Sequence, residues 1–167
     1  VTISGNCIGT DATGDTAIPN NHYGINLFQN AANVVIGGNS TQERNIISGN
    51  DEVGIYLNDS SVDSIIGNYI GVNVDGVVAL GNGGTGIYVS SDSSVSDIGG
   101  VTSGARNVVS GNGASGINLQ LGTSGVSVRG NYVGLGADGV TDLGNTEYGV
   151  FTQGDNTIGG TMAGARN

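Results

Sequence analysis

Apolar residues in this chain come in short runs separated by Gly, Asn, Ser and Thr: Ile55-Tyr56-Leu57, Ile65-Ile66, Tyr69-Ile70 and Val77-Val78-Ala79-Leu80 are representative. None is long enough for an ordinary helix, and the runs predict short strands instead. The runs recur. The dipeptides Gly24-Ile25, Gly54-Ile55, Gly86-Ile87, Gly116-Ile117 and Gly149-Val150 follow one another at intervals of 30, 32, 30 and 33 residues. An asparagine precedes each, at Asn20, Asn50, Asn82, Asn112 and Asn145, and a glycine follows each, at Gly37, Gly67, Gly99, Gly130 and Gly159. The units alternate between two kinds. One carries an Arg-Asn pair ahead of a strand (Arg44-Asn45-Ile46-Ile47, Arg106-Asn107-Val108-Val109, and a truncated Arg166-Asn167). The other carries Gly-Asn-Tyr before an apolar residue and a long turn, at 67–71 and 130–134, with Cys7 in the tyrosine position of the first copy.

A unit of about 30 residues with three short strands cannot bury an apolar side alone, but stacked units share one continuous core. The sequence therefore predicts an all-β parallel solenoid of about five coils with three short strands per coil. At ~4.8 Å per coil it is a rod on the order of 24 Å long. Two inward ladders follow from the alignment: Ile25, Ile55, Ile87, Ile117, Val150 and Leu27, Leu57, Val89, Leu119, Thr152. The asparagines Asn20, Asn50, Asn82, Asn112 and Asn145 are expected to form a structural ladder of stacked amides at a corner whose left-handed backbone Asn tolerates. Residues 1–167 read as one segment, and because both ends cut through a coil, as part of a longer protein.

Composition sharpens this. Of 167 residues 33 are Gly, there is no Lys, and Glu appears only at positions 43, 52 and 147, which leaves little material for helices. A net charge of −10 offers no basic surface to displace counterions from phosphates, which argues against nucleic acid and disfavours anionic membranes as partners. Charged residues are only 11% of the chain, and the surface must be coated with Asn, Ser, Thr and Gly, as is common outside cells. The single Cys7 rules out an intrachain disulfide and reads as a small buried apolar residue. No apolar run is long enough to span a bilayer as a helix.

The strings Ile-Gly-Gly, Gly-Ala-Arg-Asn-Val-Val-Ser-Gly-Asn (104–112) and Gly-Asn-Tyr-Ile-Gly (67–71) resemble those of right-handed parallel β-helix repeat proteins of pectate-lyase-like architecture. They look like repeats of large microbial surface and secreted proteins. The resemblance covers essentially the whole chain and implies the fold. It implies no single activity, since this architecture hosts lyases, hydrolases, tailspikes, adhesins and structural rods.

Enzymes of this architecture need clustered carboxylates for general acid-base work. Asp59, Asp63, Asp92 and Asp97 are the residues a polysaccharide lyase or glycoside hydrolase would draw on, from neighbouring coils. Catalytic sites break a repeat, whereas Arg44, Arg106 and Arg166 form a column and read as bonds to corner carbonyls. Arg129, which replaces Ile66 and Ser4 in its column, reads as a solvated outlier. Asp75-Gly76 and Asp138-Gly139 are turn pairs. Ca²⁺ is the one ion left open, through Asp11, Asp15, Asn73, Asp75, Asp138 or Asp142, but no EF-hand spacing is completed; no other metal or cofactor is expected. His22 stands without a partner for a triad or metal site.

One outward column carries a binding expectation. Asn26, Tyr56, Tyr88, Asn118 and Phe151 lie between the two inward ladders, and exposed aromatics beside amides stack on sugar rings or pack on protein. Tyr56, Tyr88 and Phe151 are thus the candidate binding residues. The functional expectation is a non-catalytic structural or adhesive segment, a stalk, surface or filament component, outside the cell or at its surface. Its partners would be polysaccharide, another surface protein, or further copies through open solenoid ends. A carbohydrate-degrading enzyme and a carbohydrate-binding module are the alternatives.

Overall fold

The structure, a computed structural model, describes residues 1–91 and 93–167. Its strands wind as a parallel β-solenoid of about five turns with about 30 residues per turn, and no helix occurs among the described residues. Three faces surround the core. Face one stacks β3 (Ile25–Gly37), β5 (Ile55–Ile66), β7 (Ile87–Val89), β10 (Ile117–Leu119) and β13 (Val150–Thr152). Face two stacks β1 (Thr2–Ile3), the second halves of β3 and β5, β8 (Ser94–Gly99), β11 (Ser127–Arg129) and β14 (Thr157–Ile158). Face three stacks β2 (Cys7–Ile8), β4 (Ile46–Ile47), β6 (Tyr69–Ile70), β9 (Val108–Val109) and β12 (Tyr132–Val133). β3 and β5 run round the corner from face one to face two unbroken, so these two faces form one nine-stranded sheet.

Register places like residues over one another. Ile25, Ile55, Ile87, Ile117 and Val150 are successive partners on face one, as are Ile3, Ile36, Ile65, Ile98 and Val128 on face two. With Leu57, Val89, Leu119, Ile47, Ile70 and Val109 they form one core running the length of the stack. Each strand contributes only one or two inward side chains, so stability comes from their continuity between coils.

Face three differs, because the outward side chains of its inner rungs are buried as well. Ile46, Tyr69 and Val108 join Val72 in a second apolar cluster, with Tyr132, Ala137 and Leu143 packed against it. The long turns make this cover. Each doubles back on itself as a hairpin-like arm, closed by one antiparallel bridge: Thr10 to Ala17, Val72 to Ala79, Leu135 to Asp142. The run Val77-Val78-Ala79-Leu80, expected to be a strand of a coil, is the returning leg of an arm, and Val78 is exposed. The arms stack on one another: Val74 N–H donates to the Gly14 carbonyl (3.0 Å) and Ala137 N–H to that of Gly76 (2.8 Å). Two legs at ~4.8 Å each match the rise of two coils. An arm on every coil would not fit, which is the physical reason the two kinds of unit alternate. It also explains why both residues of each two-residue strand here are apolar, as a strand covered on both sides requires.

The alternating kinds share one corner. Arg44-Asn45-Ile46-Ile47 and Gly67-Asn68-Tyr69-Ile70 are successive rungs of face three, since Ile46 pairs with Tyr69 and Ile47 with Ile70. The glycine column is likewise offset: Gly37 and Gly99 stack on Ile66 and Arg129, one residue before Gly67 and Gly130. Cys7, expected to be buried, is exposed: it is the outward residue of the first rung of face three, with a neighbouring strand on one side only.

Candidate functional site

Two asparagine ladders run the length of the solenoid. In the first, each Nδ2 donates to the Oδ1 of the next coil: Asn20 to Asn50 (2.8 Å), Asn50 to Asn82 (2.7 Å), Asn82 to Asn112 (3.0 Å) and Asn112 to Asn145 (3.0 Å). The second links Asn6, Asn45, Asn68, Asn107, Asn131 and Asn167 through five such bonds of 2.9–3.1 Å. It was hidden in the sequence because its spacing swings between 23 and 39 residues as arms come and go; aligning Arg-Asn with Gly-Asn-Tyr would have exposed it. The reason for asparagine is the amide, not the backbone. No ladder asparagine has a positive φ; the preceding Gly49, Gly111 and Gly144 take that conformation instead.

The arginine column is tied into the same corner. Arg44 Nε donates to the Gly67 carbonyl (3.3 Å) and Arg106 Nε to that of Gly130 (2.9 Å). Their guanidinium carbons lie 3.9 Å and 4.1 Å from the ring centroids of Tyr69 and Tyr132, a cation–π arrangement.

Among the described residues the candidate carboxylates Asp59, Asp63 and Asp97 do not converge as one group. Asp97 is bound at 2.6 Å by the Nη2 of Arg129, which is therefore an ion-pair partner rather than a solvated outlier. Asp63 is exposed on the outer side of face two. Asp59 is exposed and left-handed (φ 53°) at the corner between faces one and two, beside a groove of about 520 Å³ lined by Asn30, Ser60, Ser61, Ser93 and Ser94. Asp92 lies outside the described residues. Among the described residues, no three His, Cys, Asp or Glu side chains converge as a metal site would require. In the arms, Asp11 and Asp138 serve their own turns, and Asp15 accepts from Asn73 Nδ2 of the next arm (3.0 Å). Asp11 accepts from the Thr13 hydroxyl and the Asp15 and Thr16 amides, and Asp138 from Thr141 and Val140. The hydroxyl contacts above all hold both below the usual carboxylate range.

The outward column of face one is in register: Asn26, Tyr56, Tyr88, Asn118 and Phe151 are successive strand partners. Its aromatics are half-buried, because they pack on one another. Tyr56 lies 5.3 Å from Tyr88, centroid to centroid, and 4.8 Å from Tyr23, while Phe151 packs on Tyr148 at 5.5 Å. These separations suit offset or tilted pairs. Between the two groups Asn118 accepts from Gln120 Nε2 (2.8 Å). Burial, with Glu52's charge second, raises the Tyr23 hydroxyl above its ordinary pKa; burial and then Tyr56 do the same for Tyr88. His22 Nδ1 lies 3.0 Å from Glu52 Oε1 at the end of the row. Tyr23 and Tyr148 lie outside that column in sequence, each directly before its coil's Gly24 or Gly149 and three residues ahead of the column they extend.

No protein-family model matches the chain, and neither curated proteins nor solved structures give a match to it.

Proposed function

We propose that this chain is a non-catalytic structural segment of a right-handed, pectate-lyase-like β-helix in a microbial surface or secreted protein, where it acts as a rigid stalk or surface element. The observation that carries the reading is the pair of uninterrupted asparagine ladders. They spend eleven side chains on coil-to-coil continuity, and Arg44, Arg106, Arg129, Asp11, Asp15, Asp97 and Asp138 are engaged in holding corners, arms and neighbouring coils together. Such a design favours length and stiffness over a unique site. Incubation with pectin, alginate and neutral glucans tests it, scored for new reducing ends or unsaturated products. No turnover is expected; turnover abolished by Asp59→Asn, Asp63→Asn or Asp97→Asn would replace the structural reading with the enzymatic one.

A further inference from the structure

Face one carries more chemistry than a stalk needs. We propose that it is a binding track for a single chain of neutral, linear polysaccharide lying along the rod axis. The inference goes beyond the structural role and does not depend on it.

Three observations carry it. First, the face carries two aromatic groups along the rod: His22, Tyr23, Tyr56 and Tyr88, with neighbouring rings 4.8–6.1 Å apart, and, beyond the coil of Asn118, Phe151 with Tyr148 at 5.5 Å. An extended β-1,4-linked pyranose chain advances by about one coil rise per residue, so successive sugars fall over successive coils. A sugar ring buries its axial C–H face on an aromatic ring, and the two aromatic groups offer such rings on both sides of the Asn118 coil. Second, a polar column runs beside it. Asn58, Ser90, Gln120 and Gln153 lie two residues beyond Tyr56, Tyr88, Asn118 and Phe151, on the same side of the strand. Amides and hydroxyls at coil spacing offer both donors and acceptors to the equatorial hydroxyls of a glycan. Third, the charge at the margin is negative. Asp51 and Glu52 lie at the corner leading into face one, Glu147 at the same corner of the last coil, and no Lys or Arg lies on the track. A polyuronate would meet like charge without a counter-charge, so the polymer is neutral. The strip is too narrow, and too closely bordered by amides, to form the broad apolar centre of a protein interface.

Affinity electrophoresis in gels containing β-glucan, galactomannan, polygalacturonate or alginate tests this, with sedimentation velocity on the same samples. The protein is expected to be retarded by at least one neutral polymer and by neither uronate. Tyr56→Ala/Tyr88→Ala should abolish at least nine-tenths of the retardation with an unchanged far-UV spectrum, whereas Tyr56→Phe/Tyr88→Phe, which keeps the rings, should retain it. Lack of retardation by every neutral polymer, stronger retardation by a uronate, or full retardation of the double alanine variant would overturn the proposal. So would self-association of the wild type that the double alanine variant loses, which would assign the strip to a second copy of this chain.

Discussion

Asn68 provides the sharpest test of what holds the coils together. Its side chain is fully buried; the two hydrogens of its Nδ2 are shared among the carbonyls of Ile36 (2.9 Å) and Ile66 (3.0 Å) and Asn107 Oδ1 (3.1 Å), and its Oδ1 accepts from Asn45 Nδ2 (2.9 Å) and the Asn45 amide (3.4 Å), two donated and two accepted bonds in all. Asn68→Ala removes these four bonds at once. At about 1 kcal/mol net for each, the loss is about 4 kcal/mol, and partners stranded away from water add to it. Asn20 is the natural control. It belongs to the other ladder but sits exposed at its end with one side-chain bond, to Asn50 Oδ1 (2.8 Å), so Asn20→Ala should cost about 1 kcal/mol or less. Urea unfolding followed by far-UV circular dichroism reads the difference directly. With a denaturant slope of roughly 2 kcal/mol per molar, Asn68→Ala should lower the midpoint by roughly 2 M, and Asn20→Ala by no more than roughly 0.5 M. Equal midpoints for the two variants would refute the claim that ladder position, rather than residue type, sets the energy.

Gly86→Ala should destabilise by about 2 kcal/mol or more, because a Cβ there would sit 2.7 Å from the Gly116 carbonyl oxygen of the next coil. Gly149→Ala, in the same column but with its nearest contact at 3.5 Å, should stay within about 0.5 kcal/mol of wild type; thermal melts of the pair check both. Arg106→Lys should cost about 1 kcal/mol through loss of the guanidinium stack on Tyr132 and of the Nε bond to Gly130, while Arg166→Lys, at an exposed position, should be silent by the same measurement. Alkaline titration gives a further outcome. Tyr23 and Tyr88 hold their protons more tightly folded than unfolded, so their contribution is intact below the ordinary tyrosine pKa and fades as pH rises through the folded value. Phenolate absorbance should show two late-titrating groups in wild type, and Tyr88→Phe should remove one of them.

The glycine column shows how the same sequence signal can have a different cause in three dimensions. Gly24, Gly54, Gly86 and Gly116 repeat as clearly as the isoleucines that follow them, yet none has a positive φ; each is glycine because the chain above passes too close for a Cβ, 2.7 Å from its carbonyl oxygen. Similarly, Tyr56 and Tyr88 were legible as one column from their offset to Gly-Ile. That Tyr23 joins them, and that Phe151 turns instead to Tyr148, depends on ring contacts between neighbouring coils.

Periodicity alone determined the fold class, the coil length, the inward ladders of face one and the first asparagine ladder, because in a solenoid each residue's neighbour in space is its counterpart one period away. Only the tertiary structure decided what happens where that period is interrupted. The arms on alternate coils bury the outer side of face three and shift the spacing of the second asparagine ladder, while Cys7 is exposed because its strand is the edge of that sheet. Asp97 and Arg129, 32 residues apart, meet by virtue of stacking. Such contacts join segments that differ in length and kind, so no repeated string encodes them, and their energy lies in the packing of one coil on the next.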